Sequence, residues 1–301
     1  MLRALASVYG IAFTLAEIKP RVLQALLYRH FACFHPVRAA MSTTKTTQRV
    51  RSRFQKLSRK WKNSILKRRV ILEDFFQPDV IRCISQDEYY RTYRADRAIW
   101  DRLKAEFHNE ICVANSVDPE VLFSLVERLK PASFLEIGTF RGGTVAAVKT
   151  ILPATTVFTI NHPSPESFAI NPLERNQIGI AFRRRGLDVK LLWADSADLQ
   201  KLNIPSCDMI FVDGDHSRTA VLRDFENCWL YLKPGGYMVF HDFIPPGAPE
   251  RPFHTRYVVS AFRQFSRLHR HEFEEAFHVA DSWLGVVRKR LEAPAQARVA
   301  A

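Results

Sequence analysis

Two short runs in the chain have the residue types and spacing that chemistry needs: Asp213-Gly214-Asp215-His216 and His241-Asp242. Each sits at the end of an apolar stretch, Asp208–Val212 and Tyr237–His241, that reads as a strand. If both strands belong to one parallel sheet, their carboxyl ends open on the same edge. Asp213 and Asp242 then converge although 29 positions separate them. Two carboxylates so placed can hold a hard divalent cation such as Mg²⁺ and leave positions open for substrate oxygens. A hydroxyl bound there would lose its proton more easily and be fixed for in-line attack. The plainer alternative is that Asp213 touches only cofactor or backbone and Asp242 caps a loop, because acidic strand ends are common in doubly wound sheets.

A third run lies upstream. Residues Phe134 to Thr144 carry Glu136, Gly138, Thr139, Gly142 and Gly143 at a strand-to-helix turn. Glycines there let the backbone approach a ligand, and the following helix start offers free N–H groups. The spacing is not the G-x-G-x-x-G of a dinucleotide site. Glu136, two residues before the first glycine, suits a ligand that carries sulfonium and ammonium charge.

Positioning these three runs requires alternating strands and helices. Strands are expected at Ser133–Ile137, Thr156–Ile160, Val189–Trp193, Asp208–Val212 and Tyr237–His241, with helices near Thr144–Leu152, Pro172–Arg184 and Thr219–Leu232. Short apolar strands alternating with helices mean a parallel sheet covered on both faces. After a helix near Arg256–Leu268, the runs Glu272–Val279 and Trp283–Arg288 read as a hairpin around Ala280-Asp281-Ser282. Upstream, residues 86–108 form a helical block, and Asp118 with Pro119 opens another helix as its cap and first position.

The N-terminal quarter differs in charge. Residues 1–72 hold 16 Lys/Arg against one acid, Glu17, a surplus of 15, whereas the whole chain is +13; the remainder is therefore about −2. The basic character belongs to an arm and not to the α/β region. Residues 1–40 resemble a leader in part: an apolar stretch follows Arg3, but no small-residue cleavage site follows it. The arginines would also suit a transit peptide, and the polar stretch from Met41 looks like a natural start. Residues 48–69 read as a basic amphipathic helix, with Val50, Phe54, Leu57, Trp61 and Ile65 at helical spacing. Such a helix fits either an anionic membrane surface or a twin subunit. Five cysteines without a C-x-x-C pair point to reduced thiols in a cytoplasmic setting. No uncharged run is long enough to span a bilayer.

Three motifs in order, E-I-G-T-x-x-G-G-T from Glu136, F-V-D-G-D-H-S from Phe211 and L-K-P-G-G-Y-x-V-F-H-D from Leu232, resemble class I S-adenosylmethionine (SAM) dependent methyltransferases. More narrowly they resemble the group with bacterial sugar and macrolide O-methyltransferases and cephalosporin-hydroxylase-like proteins. The resemblance implies a Rossmann-like, doubly wound seven-stranded sheet with an antiparallel last strand, here preceded by N-terminal helices. The expected division is a basic segment 1–72, a helical extension 73–130, the methyltransferase domain 131–290 and a tail 291–301. The resemblance also implies that Glu136, Gly138, Thr139, Gly142, Gly143, Asn161, Asp195 and Ser196 contact SAM. Asn161 stands where the family usually has an acid on the ribose. By the same resemblance Asp213, His241 and Asp242 would hold a divalent metal, Mg²⁺ or Mn²⁺, with His241 in place of a carboxylate. His216 would be the general base, and its ordinary pKa near 6.5 suits that work. The expected activity is O-methylation of a sugar or other small molecule. A SAM-binding protein without turnover, attached to a membrane or partner, is the alternative that Asn161 and His241 support. Nucleic acid is disfavoured as a partner, because the basic arm is remote from the site and no N-P-P-Y-like run follows the fourth strand.

Overall fold

The computed structural model describes residues 63–73, 81–111, 117–164, 173–246 and 251–291. The chain divides into two compact units, Met1–Ile65 and Leu66–Ala301. The expected leader, most of the basic helix and most of the tail lie outside the described residues.

Within the second unit the strands are β1 (Arg82–Ile84), β2 (Ser133–Ile137), β3 (Thr156–Asn161), β4 (Val189–Trp193), β5 (Cys207–Val212), β6 (Leu232–Phe240), β7 (Phe273–Val279) and β8 (Gly285–Lys289). The helices are α1 (Gln86–Tyr93), α2 (Ile99–Phe107), α3 (Val117–Leu129), α4 (Gly143–Ile151), α5 (Ile180–Arg184), α6 (Arg218–Tyr231) and α7 (Phe253–His269). The sheet order is β1-β7-β8-β6-β5-β2-β3-β4. β8 runs antiparallel to both β6 and β7, and every other pairing is parallel. This is the expected seven-stranded sheet with its antiparallel last strand. The N-terminal extension adds an eighth, β1, along the edge of β7.

Burial explains why these stretches form strands. Every residue of β2 is buried, as a central strand covered on both faces must be. One face carries Phe134, Val145, Val148 and Phe211 with Tyr89, Trp100, Phe107 and Phe123 from α1 to α3. The other carries Leu135, Ile137, Ile210 and Val212 with Phe225, Trp229, Phe262 and Phe265 from α6 and α7. The N-terminal helices are thus part of the same core. Tyr89 confirms it by donating its hydroxyl to Val121 O at 2.8 Å across α1 and α3. At the end of the sheet remote from the glycine turn, Asp208 accepts from Ser133 N–H at 2.9 Å and from Lys233 Nζ at 2.9 Å, tying β2, β5 and β6 together.

Several expected boundaries move, two of them for a visible physical reason. The helix expected from 172 begins only at Ile180, because Gly179 takes a φ of +69° and serves as its N-cap; residue 172 lies outside the described residues. The second hairpin strand begins at Gly285 and not Trp283. Trp283 N–H is held by Asp118 Oδ1 at 2.6 Å and its carbonyl accepts from Phe243 N–H at 2.9 Å, so its backbone serves the loops above the sheet.

Candidate active site

Backbone hydrogen bonds carry the parallel ladder one step past the strand ends. Gly138 N–H donates to Ile160 O at 2.9 Å, Asp213 N–H to Ile137 O at 2.9 Å, and His241 N–H to Val212 O at 3.0 Å. This staircase fixes the tips of β2, β5 and β6 side by side, so Asp213, His241 and Asp242 meet as the sequence led one to expect. Gly138 sits in the middle with a φ of +102°. A Cβ at Gly138 would run into the Asp213 carbonyl oxygen. The sequence suggested that this glycine serves ligand approach; the structure adds that the β2 and β5 turns can cross only over a residue without a side chain.

The acids and imidazoles interlock. His241 Nδ1 lies 3.2 Å from Asp213 Oδ1 and 3.4 Å from Asp242 Oδ1. His216 reaches over from the start of α6, with Nδ1 2.6 Å from Asp242 Oδ2 and Nε2 3.5 Å from Asp213 Oδ1. Two further residues join that the sequence did not single out for chemistry. Asp118, read as a helix cap, is buried at 2% exposure, and its Oδ2 accepts from His241 Nε2 at 3.2 Å. His254, in the first turn of α7, places Nε2 3.5 Å from Asp242 Oδ1. Asp242 itself has a φ of +56°, a left-handed conformation that Asp tolerates better than most residues and that often marks a functional position.

The other predicted residues line the tips of β2, β3 and β4. Glu136 is buried beneath the glycine turn and accepts from Thr159 Oγ1 at 2.7 Å; Thr139 Oγ1 lies 2.7 Å from the same hydroxyl. Gly142 caps α4, and a Cβ on Gly143 would strike the Glu110 backbone. Asn161 ends β3 beside Trp193, and its Nδ2 donates to His162 O at 3.2 Å. Asp195 caps the 3-10 turn Ser196–Lys201 and pairs with Arg223 at 3.1 Å. Ser196 turns its hydroxyl to Asp224 at 2.6 Å, toward α6.

Residues 135–243 match the family model described as a methyltransferase domain. The chain carries a methyltransferase domain. The strand order above is the doubly wound order that the three motifs implied. The matched stretch runs from β2 to one residue past Asp242, so it holds the glycine turn, Asp213, His216 and His241 but neither Asp118 nor His254. Among curated proteins the chain is similar to an uncharacterized protein of Acanthamoeba polyphaga mimivirus, 28% identical over 116 residues. That alignment covers 37% of this chain and 51% of the relative, so the chain spans about half the length of the curated relative it matches. Among solved structures it is similar to an SAH-bound methyltransferase of Podospora anserina, with 18% identity, 65% of this chain, 86% of that chain and a TM-score of 0.46. It is also similar to the O-methyltransferase TomG of Streptomyces achromogenes in complex with SAM, with 19% identity, 68% of this chain, 95% of that chain and a TM-score of 0.44. Likeness at that level leaves the reaction to be argued from the domain's own residues.

Electrostatics separate the two halves of the methyltransferase domain's edge. Away from the imidazoles, burial pushes Glu136 up to about 8 against the lowering bond from Thr159, and burial likewise pushes Asp224 up to about 7. On the acid–imidazole side burial is outweighed. Asp213 falls well below the usual carboxylate range because His241 and His216 stand beside it, and Asp242 falls for the same reason. Burial would lower His216, but its contacts with Asp213 and Asp242 push it up to about 10. This departs from the near-neutral value expected of a free histidine, and the cause is the pair of acids the sequence placed nearby.

Glu136 gives a stability prediction. The folded domain keeps on Glu136 a proton that the unfolded chain releases above about 4.5, so stability falls as pH rises from about 4.5 through about 8. The full effect is of the order of 5 kcal/mol. Glu136→Gln has no such proton to lose. Thermal unfolding of the two proteins at about pH 5 and about pH 8 should therefore show the variant gaining on the parent as pH rises. Parallel behaviour would mean that Glu136 is ionised in the folded domain.

Proposed function

We propose that the domain transfers the methyl group of SAM to a hydroxyl of a sugar or other small molecule, with a divalent cation at Asp213, His241 and Asp242 and with His216 as the base. The observation that carries this reading is the convergence of Asp213, Asp242 and His216 at the sheet edge beside the glycine turn. Glu136, Gly138, Thr139, Gly142, Gly143, Asn161, Asp195 and Ser196 would receive the donor.

The donor set suits a cation. It offers two carboxylates and an imidazole on neighbouring strand tips. The buried Oδ2 of Asp242 has no partner in hydrogen-bond geometry, although His216 Nδ1 stands 2.6 Å away. Such a cation would acidify and orient the accepting hydroxyl. The protein's own residues do the rest. Asp118 holds His241 Nε2, so that Nδ1 faces the two acids. As the hydroxyl oxygen bonds to the methyl carbon, the carbon–sulfur bond breaks, the sulfonium becomes a neutral thioether, and the hydroxyl proton passes to His216. For that step His216 must be neutral, and it becomes so at a lower pH once Asp213 and Asp242 direct their charge elsewhere.

The test is transfer of a labelled methyl group from SAM to a panel of sugars and vicinal diols, with and without chelator. Transfer that chelation stops supports the reading; transfer that chelation leaves intact removes the cation from it. A protein that binds SAM and methylates nothing would favour the alternative, attachment to a membrane or partner. The described end of the basic segment, residues 63–73, exposes Lys67, Arg68 and Arg69 beside the apolar Ile71 and Leu72. That surface suits an anionic membrane or a second copy of the chain. No helix among the described residues is long and apolar enough to cross a membrane.

A further inference from the structure

We propose that the cation at this site is a borderline first-row transition ion and not magnesium, and that His254 is one of its ligands. The proposal rests on the metal-assisted reading above and sharpens it. Asp242 is the hub. Its Oδ1 stands 3.4 Å from His241 Nδ1 and 3.5 Å from His254 Nε2. His241 Nδ1 is 3.2 Å from Asp213 Oδ1 in turn. An ion with ligand bonds of about 2.1 Å holds neighbouring donors roughly 3 to 3.5 Å apart, so these separations are those of edges in a coordination shell. Asp242 and His254 belong, with the base His216, to a group whose ligand atoms all lie within 4.8 Å of one another, and Asp213 and His241 join them through the His241 Nδ1 contacts.

Two features aim this cluster at a ligand, beside a buried Asp242 Oδ2 that already has His216 Nδ1 2.6 Å away. The Asp242 backbone is held at a φ of +56°, which turns the carboxylate between the two histidines. His241 is braced from behind by Asp118, itself 2% exposed and held by Trp283 N–H at 2.6 Å. A carboxylate on the far nitrogen of a ligating histidine fixes the ring and raises its basicity. His254 comes from a different element, α7, and its side chain is about two-fifths exposed at 42%, so it can turn toward an ion without unpacking the core.

The ligand chemistry sets the preference. Magnesium keeps oxygen ligands and water, and gives up its hydration reluctantly. Imidazole suits Fe²⁺, Co²⁺, Ni²⁺, Cu²⁺ and Zn²⁺, and affinity for such a site rises from Mn²⁺ through Fe²⁺, Co²⁺ and Ni²⁺ to Cu²⁺ and falls again at Zn²⁺. Two imidazoles beside two carboxylates therefore discriminate against magnesium.

The experiment is a titration of the full chain with Co²⁺, followed by its visible absorption, with Mg²⁺ as competitor. The parent should bind Co²⁺ and hold it against a large excess of Mg²⁺. His254→Ala should weaken Co²⁺ binding by roughly ten- to a hundredfold and alter the spectrum. Added imidazole should restore the parental bands by filling the vacated position. An unchanged Co²⁺ affinity and spectrum in His254→Ala, or displacement of Co²⁺ by comparable Mg²⁺, would overturn the proposal, as would failure of imidazole to restore a lost spectrum. Calorimetry with SAM on the same samples separates the two levels. Co²⁺ held through His254 without any SAM binding contradicts the methyltransferase reading alone. SAM binding with a His254-independent cation contradicts this proposal alone.

Discussion

Asp242→Asn is expected to reduce methyl transfer by at least roughly a thousandfold while leaving SAM affinity within a few fold. The size follows from two losses at one residue. A carboxylate oxygen that holds the cation disappears, and a bound metal contributes several kcal/mol of stabilisation to developing charge, each 1.36 kcal/mol being about tenfold in rate. His216 also loses the acid 2.6 Å from its Nδ1. Asparagine is the cleaner probe than alanine, because the site holds a φ of +56° and Asn accepts the left-handed region more readily. SAM should be spared, since the glycine turn and Asn161 lie on β2 and β3 and Asp195 follows β4. Asp213→Asn should behave alike. The measurement is single-turnover transfer beside calorimetric SAM binding. Comparable loss of both would place Asp242 in the donor pocket instead.

His216→Ala is expected to lose roughly 10² to 10⁴ in turnover while keeping both SAM and cation. The pH profile carries the sign. With its two acids alone as neighbours His216 is pushed up to about 10, so it is an imidazolium at neutral pH and accepts no proton. The rate of the parent should therefore rise with pH as His216 gives up its proton, and a cation on Asp213 and Asp242 should move that rise to lower pH. The variant should lose this limb. A parent rate that falls as pH rises would mean His216 works as an acid. An unchanged limb in His216→Ala would assign the limb to another group, and the cation-bound hydroxyl would be the first candidate.

Much of this site was legible in the sequence because it is local. Gly138, Asp213, His241 and Asp242 sit at strand ends, and parallel register alone brings strand ends together. The hydrophobic runs that define β2, β5 and β6 therefore sufficed to pair two acids far apart in the chain. The eighth strand was not legible: three residues, Arg82–Ile84, carry too little pattern, and only pairing with β7 makes them a strand. Asp118 and His254 escaped for a related reason. Each lies in the first turn of a helix, where an acid or histidine usually serves the helix itself, and nothing local shows that the side chain reaches across to β6. The value near 10 for His216 was likewise hidden, because it depends on two carboxylates arriving from different strands. The ligand-approach reading of Gly138 needed enlarging too, since the close neighbour is the Asp213 carbonyl.

Calorimetric titration of the purified full chain with SAM decides whether this edge of the sheet is a donor site. One-to-one binding that SAH competes for is the predicted result. An absence of SAM binding at millimolar donor, in a protein that is folded and loaded with either Co²⁺ or Mg²⁺, would contradict it.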